Sequence, residues 1–130
     1  MQDFRNLEVW NKAHKLTLDT YRVTESFPRT EVFGLGSQLR RGAASIATNL
    51  AEGCGRTQGE FGRFLQVAFG SGCEVEYQLL LSRDLGLIAA EQYERLTADV
   101  LEIKRMLHGL LKRVQRDARP LAALEQVAAS

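Results

Sequence analysis

Residues 37–53 read SQLRRGAASIATNLAEG. The stretch has the apolar spacing of an amphipathic helix but few of the charged residues that usually occupy the opposite, solvent-facing side. The apolar positions that fall on one side of this helix are Leu35, Leu39, Ala43, Ile46 and Leu50. Their recurrence every three or four residues is the mark of an amphipathic helix. From Gly42 to Ala51, however, ten residues carry no charge. The outer side of the predicted helix therefore consists of small residues edged by a few polar ones.

The rest of the chain has the same helical period, with no run of strand-like alternation. We predict four helices, over about residues 7–25, 31–52, 58–86 and 90–116. The signals that separate them are Phe27-Pro28, a cap at Thr30, the glycines at 53 and 55, a capping box from Thr57 to Glu60, and a turn at residues 87–89. Helices of similar length with short connections pack as antiparallel neighbours. The predicted fold is all-α, an antiparallel up-down-up-down four-helix bundle.

The core of this bundle is predicted from the apolar seam of each helix. Beyond the residues of the second helix, its members are Val9, Ala13, Leu16, Thr20 and Val23, then Phe61, Leu65, Ala68, Gly72, Val75 and Leu79, then Tyr93, Leu96, Val100, Ile103, Leu107, Leu110 and Val114. Alternating spacings of three and four are typical of knobs-into-holes packing. We place the bundle at residues 1–116 and expect residues 117–130 to be a poorly ordered, Ala-rich tail that starts near Pro120.

Composition indicates a globular chain of one domain. The 130 residues are 45% hydrophobic and 25% charged, with a net charge of +1. No apolar run reaches the ~20 residues of a membrane span, and the N-terminus lacks the order of a signal peptide. Cys54 and Cys73 would lie ~20 Å or more apart along a helix, too far for a disulfide. We therefore expect free thiols, a cytoplasmic location and no membrane partner.

Two explanations remain for the small residues on the outer side of the second helix. They can be solvated, since alanine is the best helix former, or they can pack closely against a further surface. The third helix repeats the feature at residues 68–73, AFGSGC, although each glycine costs a helix about 0.5–1 kcal/mol. We favour close packing against another copy of the chain. The predicted oligomer-interface residues are Gln38, Arg41, Ser45, Asn49 and Glu52, with Arg41 and Glu52 as candidates for polar contacts between subunits.

Motifs for catalysis or cofactor binding are missing from the pattern. Neither His14 nor His108 follows a glutamate by three residues, as the di-metal carboxylate bundles require. The glycines of residues 53–59 do not fit a dinucleotide fingerprint and follow no strand. We find no spacing typical of a nucleophile and its base. The sequence predicts a protein that is not an enzyme, with no catalytic residues, metal or cofactor.

Charge is distributed unevenly along the fourth helix. Residues 91–103 carry four acids and one base, whereas residues 104–119 carry six bases and one acid. Bases suit the end of a helix because of its dipole, but six exceed that need. The candidate nucleic-acid-binding residues are Lys104, Arg105, Lys112, Arg113 and Arg116. Arg56 and Arg63 are expected at the same end of the bundle. Such a cluster can neutralise phosphates, contact an acidic protein or remain solvated, and no aromatic residue interleaves with it.

Several segments resemble the four-helix-bundle proteins encoded in intervening sequences of bacterial 23S ribosomal RNA genes. The similar segments are residues 7–13 (LEVWNKA), Phe27-Pro28, residues 37–53, Glu60-Phe61, Phe64-Leu65, Gly70-Ser71, residues 74–79 and Leu85-Gly86. The likeness covers about residues 4–115. This family is similar to the accessory protein of diversity-generating retroelements, which assists a reverse transcriptase and binds nucleic acid.

The resemblance implies a ring-shaped homopentamer and no catalytic residues. Together with the charge pattern, it leads us to expect a self-assembling protein that binds structured RNA or a ribonucleoprotein. The alternative is a homo-oligomeric scaffold that binds a protein partner without contacting nucleic acid.

Overall fold

The computed structural model of the protein describes the backbone of residues 3–129 and the side chains of residues 3–117. Its long helices are α1 (Glu8–Thr24), α2 (Ser37–Cys54), α3 (Gln58–Asp84) and α4 (Ala90–Ala129). A 3-10 turn, Phe4–Asn6, precedes α1, and a short helical turn, Arg29–Glu31, leads into α2 through a π-helical turn, Val32–Gly36. Residues 3–129 contain no strand, which confirms the all-α class.

The four helices form a ring of antiparallel neighbours. Contacts that join α2 to α3 are Gln38 with Gln78, Ser45 with Ser71, and Gly53 with Phe61. Contacts that join α3 to α4 are Arg83 with Tyr93, Gly72 with Lys104, and Gly62 with Val114. In both series the residue numbers increase along one helix while they decrease along the other, so the two helices of each pair are antiparallel. The first helix closes the ring through Arg40 of α2, which donates to Thr24, and through Lys15, which lies 3.9 Å from Asp99 of α4.

The core is the one that the apolar seams predicted. All five residues predicted for α1 and all five for α2 are buried. In α3 and α4 the seam residues near the middle are also buried, but Phe61, Tyr93, Leu110 and Val114 are only partly covered. Phe61, Leu110 and Val114 lie at one end of the bundle, and Tyr93 lies at the other. The structure thus confirms the four-helix core and shows that its outermost seam residues are less covered than those in the middle.

The C-terminal end of α3, where the turn to α4 begins, has a cap that depends on a glycine. Gly86 has a φ of +74°, a left-handed conformation that a glycine adopts without strain. The amide of Leu87 donates to the carbonyl of Ser82, and the amide of Gly86 donates to that of Arg83. This pair of bonds is the Schellman motif, which satisfies carbonyls that a helix end would leave free. At the other end of α3, Thr57 accepts from the amide of Glu60 as predicted.

The start of the second helical segment differs from the prediction. We expected Thr30 to cap it, but the helical turn already begins at Arg29, with Pro28 at the capping position. The π-helical turn that follows then brings Gly36 against the end of α1. A Cβ atom at Gly36 would lie 3.5 Å from the ring of Phe27 and 3.1 Å from the Glu31 carbonyl oxygen. The wider turn therefore lets the two segments approach closely.

The end of the fourth helix also differs. The prediction stopped this helix near Arg116 because Pro120 lacks an amide hydrogen, whereas the backbone continues as a helix to Ala129. The sequence beyond the proline is rich in alanine and leucine, which are strong helix formers. Side chains beyond Asp117, including that of Arg119, lie outside the described residues. The predicted tail at residues 117–130 stays a prediction as regards its order.

Candidate nucleic-acid interface

The five predicted nucleic-acid-binding residues fall into two groups on α4. Lys104 is the most enclosed of them, with its side chain 20% exposed. Its ammonium donates to Glu76 of α3 at 2.7 Å and lies 5.2 Å from the centre of the Phe69 ring. The hydrogen bond to Glu76 raises the pKa of Lys104, against the opposing effect of its burial. This lysine therefore joins two helices of the bundle.

Arg105 is exposed but is also paired within the chain. Its guanidinium donates two hydrogen bonds to the Glu102 carboxylate, at 2.9 and 2.6 Å. The bond from Arg105 holds the pKa of Glu102 below its usual value. A two-bond arginine–carboxylate pair satisfies both charges. Lys104 and Arg105 are thus less available to an external anion than the sequence suggested.

The second group consists of Lys112, Arg113 and Arg116, which are all exposed. Among the described residues none of the three lies within ion-pair distance of a carboxylate. They occupy about one turn of the helix, which rises ~6 Å over these positions. Their charges are therefore close together and open to solvent.

Two further arginines lie at this end, as expected from the antiparallel order. Arg56, in the turn after α2, and Arg113, on α4, line the same pocket of about 440 Å³. Arg56 and Arg63 have their guanidinium carbons 5.6 and 5.1 Å from the centre of the Phe64 ring. Both distances are in the range of a cation–π contact. The expectation that no aromatic ring interleaves with the bases is wrong for the folded bundle. Two rings of α3 lie against bases: Phe64 contacts Arg56 and Arg63, and Phe69 contacts Lys104.

The predicted oligomer-interface residues lie along the groove between α2 and α3. Three of them bond within the chain: the hydroxyls of Ser45 and Ser71 are 2.9 Å apart, Asn49 donates to the Ser45 carbonyl at 2.8 Å, and Gln38 accepts from Gln78 at 3.5 Å. The other members are Arg41 and Glu52, both exposed. Within the described residues neither makes an ion pair. These two remain the members best placed to meet an external surface.

Several of the glycines are required by close packing between helices of the same chain. A Cβ atom at Gly42 would lie 2.7 Å from Val75, and one at Gly53 would lie 2.8 Å from Phe61. On the next pair of helices, a Cβ at Gly72 would lie 3.0 Å from Lys104. At these three glycines the close neighbour is another helix of the same bundle. The predicted packing of the outer side of α2 against another copy of the chain stays a prediction.

Gly70 is different, since a Cβ there would meet nothing within 4 Å. It lies on an outer stripe of α3 in which Val67 is 48% exposed and Tyr77 is 61% exposed. The stripe is spaced by four, three, four and three residues, and its members are Arg63, Val67, Gly70, Glu74 and Tyr77. Sequence analysis missed this second seam, although the same counting that found the core would have detected it. An exposed seam of this spacing is suited to packing against another helix.

Other chemistry is not evident in the described part of the chain. No group of three or more histidine, cysteine, aspartate or glutamate side chains there is arranged to hold a metal. His14 is exposed and stacks on Trp10, with ring centres 5.0 Å apart. Both cysteines are free; Cys54 is buried and Cys73 exposed. None of the described helices is both long and apolar enough to cross a membrane.

Comparison with known proteins gives a family and several similar solved structures. The chain is similar over residues 5–109 to the model of the family described as 23S rRNA-intervening sequence protein. A crystal structure from Bacteroides thetaiotaomicron, described as a protein of unknown function from the S23 ribosomal protein family, is 25% identical and superposes with a TM-score of 0.75. The alignment covers 80% of this chain and 98% of that one. No curated protein matches the sequence.

Neither description names an enzymatic activity. The family match spans most of the described bundle, from the first 3-10 turn to the middle of α4, and the solved relative has the same fold. The chain belongs to the 23S rRNA-intervening sequence protein family.

Proposed function

We propose that the protein is a self-assembling, non-enzymatic bundle that binds structured RNA or a ribonucleoprotein. The observation that carries this proposal is that Lys112, Arg113 and Arg116 are exposed and, among the side chains of residues 3–117, have no carboxylate within ion-pair distance. Bases that served only the bundle would be expected to find carboxylates, as Lys104 and Arg105 do. Three adjacent free cations suit the phosphates of a nucleic acid.

Neighbouring elements extend this positive surface. Arg56 and Arg113 line the same pocket, and Arg63, the residue before Phe64 on α3, lies against the Phe64 ring. The chain as a whole has a net charge of only +1. Attraction of a polyanion therefore depends on this local cluster rather than on the total charge, and copies of the cluster in an oligomer would add to one another.

Self-assembly is supported by the outer face of α2 and α3. Close approach at Gly42 brings the two helices together, and Val67 and Tyr77 are exposed on either side of Gly70 on the outer stripe of α3. Arg41 and Glu52 border the same face without partners in the described chain. A second copy would cover the exposed apolar area and supply partners for these charges. Five copies is the number that the family resemblance implies.

A native mass spectrum of gently purified protein at low salt tests assembly first. We expect a mass near five chains of 14.6 kDa each, with additional mass that ribonuclease removes. An oligomer that carries no ribonuclease-sensitive mass would favour a scaffold for a protein partner. A monomer would contradict the assembly proposal.

RNA binding is tested separately with a structured RNA at several salt concentrations. The logarithm of the affinity should fall linearly with the logarithm of salt concentration, with a slope set by the number of phosphates neutralised. Replacing Lys112, Arg113 and Arg116 by alanine should remove most of the binding. A matched control replaces Arg22, Arg29 and Arg95, which are exposed at other places, and changes the net charge equally, from +1 to −2. Equal loss in both triple variants would mean that the α4 cluster has no special role.

A further inference from the structure

The pocket at the basic end of the bundle has an apolar wall that no helix of the described chain covers. Phe61 from α3 and Leu110 and Val114 from α4 form this wall, and each is only partly buried. The pocket is open to solvent on one side and has a volume of about 440 Å³. Pockets that bind small ligands have volumes of roughly 300–1,000 Å³. The space is therefore of a size to admit one small ligand.

The pocket exists because α4 is longer than its partner α1. Glu8, the first residue of α1, is close enough to Arg105 to contribute to its raised pKa. Beyond Arg105 the fourth helix therefore runs on past the first residue of α1. Leu110 and Val114 lie in this part of α4 and line the pocket together with Phe61 of α3 and with Gly53 and Cys54 of α2.

Charges stand at the rim of this apolar wall. Arg56 approaches from the turn between α2 and α3, and Arg113 approaches from α4. Neither forms an ion pair among the described residues. Asp117, one helical turn beyond Arg113, is the acidic group of the rim. The site thus combines an apolar surface with two cations, one carboxylate and the side-chain amide of Gln58.

We propose that this pocket binds a single nucleotide, with its base on the apolar wall and its phosphate between Arg56 and Arg113. The flat face of a base fits beside Phe61, Leu110 and Val114, as unstacked bases fit aromatic and apolar side chains elsewhere. Asp117 can accept a hydrogen bond from an amino group on the edge of the base. An anionic acyl chain would neutralise the arginines but would leave Asp117 beside an apolar group.

Two sources can supply such a nucleotide. One is an unpaired nucleotide at the end or in a bulge of an RNA, in which case the inference rests on the RNA binding proposed above. The other is a free nucleoside monophosphate. The chemistry recognised is the same, and the experiment separates the sources.

The experiment compares an RNA hairpin that has a blunt end with the same hairpin carrying one unpaired 3′ adenosine. We expect about tenfold tighter binding of the extended hairpin, because one stacked base contributes on this order. Arg56→Gln should reduce this preference to near unity. Arg29→Gln, which removes an equal charge from an exposed arginine at the other end of the bundle, should retain it. Circular dichroism would verify that both variants are folded.

The outcomes separate the two proposals. If both hairpins bind equally well to the unaltered protein, the pocket inference is wrong while RNA binding stands. If the preference exists but survives Arg56→Gln, the pocket inference is also wrong. If neither hairpin binds, the RNA proposal fails, and titration with adenosine monophosphate alone decides the pocket: saturable binding lost in Arg56→Gln supports a free-nucleotide site, and no binding rules it out.

Discussion

Gly42 of α2 lies so close to α3 that a Cβ atom added to it would come within 2.7 Å of the Val75 side chain. Both residues are buried, and Val75 belongs to the core seam of α3. A methyl group at this position must push the helices apart or displace the valine. Overpacking of this kind costs typically ~1–3 kcal/mol.

We therefore expect Gly42→Ala to destabilise the protein by about 1–3 kcal/mol, even though alanine is the better helix former. Urea unfolding followed by circular dichroism measures this change. Gly42→Ala combined with Val75→Ala should be less unstable than the sum of the two single variants, because the second change makes room for the first. Additive effects would show that the close approach does not limit stability.

Gly70 provides the opposite case in the same pair of helices. It lies inside α3, and a Cβ atom there would meet nothing within 4 Å. We expect Gly70→Ala to stabilise the single chain by about 0.5–1 kcal/mol, through the higher helix propensity of alanine. The same unfolding experiment, made at a protein concentration where the chain is monomeric, measures it. A destabilised variant would reveal a neighbour that the single chain does not contain.

Assembly can be tested at this same residue with a larger side chain. Gly70→Arg leaves the bundle interior untouched but places a long charged group between Val67 and Tyr77 on the outer seam. We expect the variant to be folded and shifted to smaller species by sedimentation velocity. Gly59→Arg is a suitable control, since Gly59 is also on α3 with no atom within 4 Å of its added Cβ. An unchanged oligomer in Gly70→Arg would move the interface away from this seam.

The ion pair of Lys104 and Glu76 predicts a dependence of stability on pH. The hydrogen bond to Glu76 raises the pKa of Lys104 in the folded state. The contribution of this pair is therefore complete below the pKa of an unfolded lysine, about 10.4, and is lost as pH rises through the higher folded value. Because Glu76 is 39% exposed, we expect the pair to contribute only about 0.5 kcal/mol.

Glu76→Gln measures this contribution. The difference in unfolding free energy between the variant and the unaltered protein should be constant from pH 7 to 10 and should shrink above that range. A matched control is Glu102→Gln, which removes the carboxylate from the exposed pair with Arg105. There the partner is an arginine, which keeps its charge at alkaline pH, so we expect no corresponding change. A pH-independent difference for Glu76→Gln would exclude the proposed linkage.

Features that depend on the spacing of residues along one helix could be predicted from the sequence, whereas features that depend on contacts between distant residues could not. The buried seams were predictable because every core residue of α1 and α2 recurs with the helical period, from Val9 to Val23 and from Leu35 to Leu50. The π-helical turn at Val32–Gly36 was not predictable in this way, because it is associated with the close contact of Gly36 with Phe27, which lie in two different segments of the chain. The spacing of apolar residues indicates which face of one helix is buried, but it gives no information on contacts between two different segments.

The candidate site shows the same division. The sequence placed bases at the end of α4, but it could not separate Lys104 from Lys112, because Glu76, the partner of the former, lies 28 positions away on α3. The pocket was hidden for a related reason. In the sequence, Leu110 and Val114 continue the apolar spacing of the core without a break. Only the structure shows that α4 extends past the first residue of α1, so that these two residues are incompletely covered.

The two cysteines give a final prediction, on chemical reactivity. Burial, with a smaller effect from the Asp3 carboxylate, raises the pKa of the Cys54 thiol. Cys73 is exposed on α3. Because the thiolate is the reactive form, we expect a thiol reagent at pH 8 to modify Cys73 rapidly and Cys54 at least tenfold more slowly. Mass spectrometry of peptides from a time course would assign each rate.

Asp3→Asn should speed the modification of Cys54 modestly, since it removes the smaller of the two causes, and should leave Cys73 unaffected. Denaturant should bring the two rates together, because burial is the main cause and is lost on unfolding. Equal rates for both thiols in the native protein would mean that the basic end of the bundle opens readily. In that case the apolar wall of Phe61, Leu110 and Val114 would not be a fixed surface, and the nucleotide pocket built on it would lose its basis.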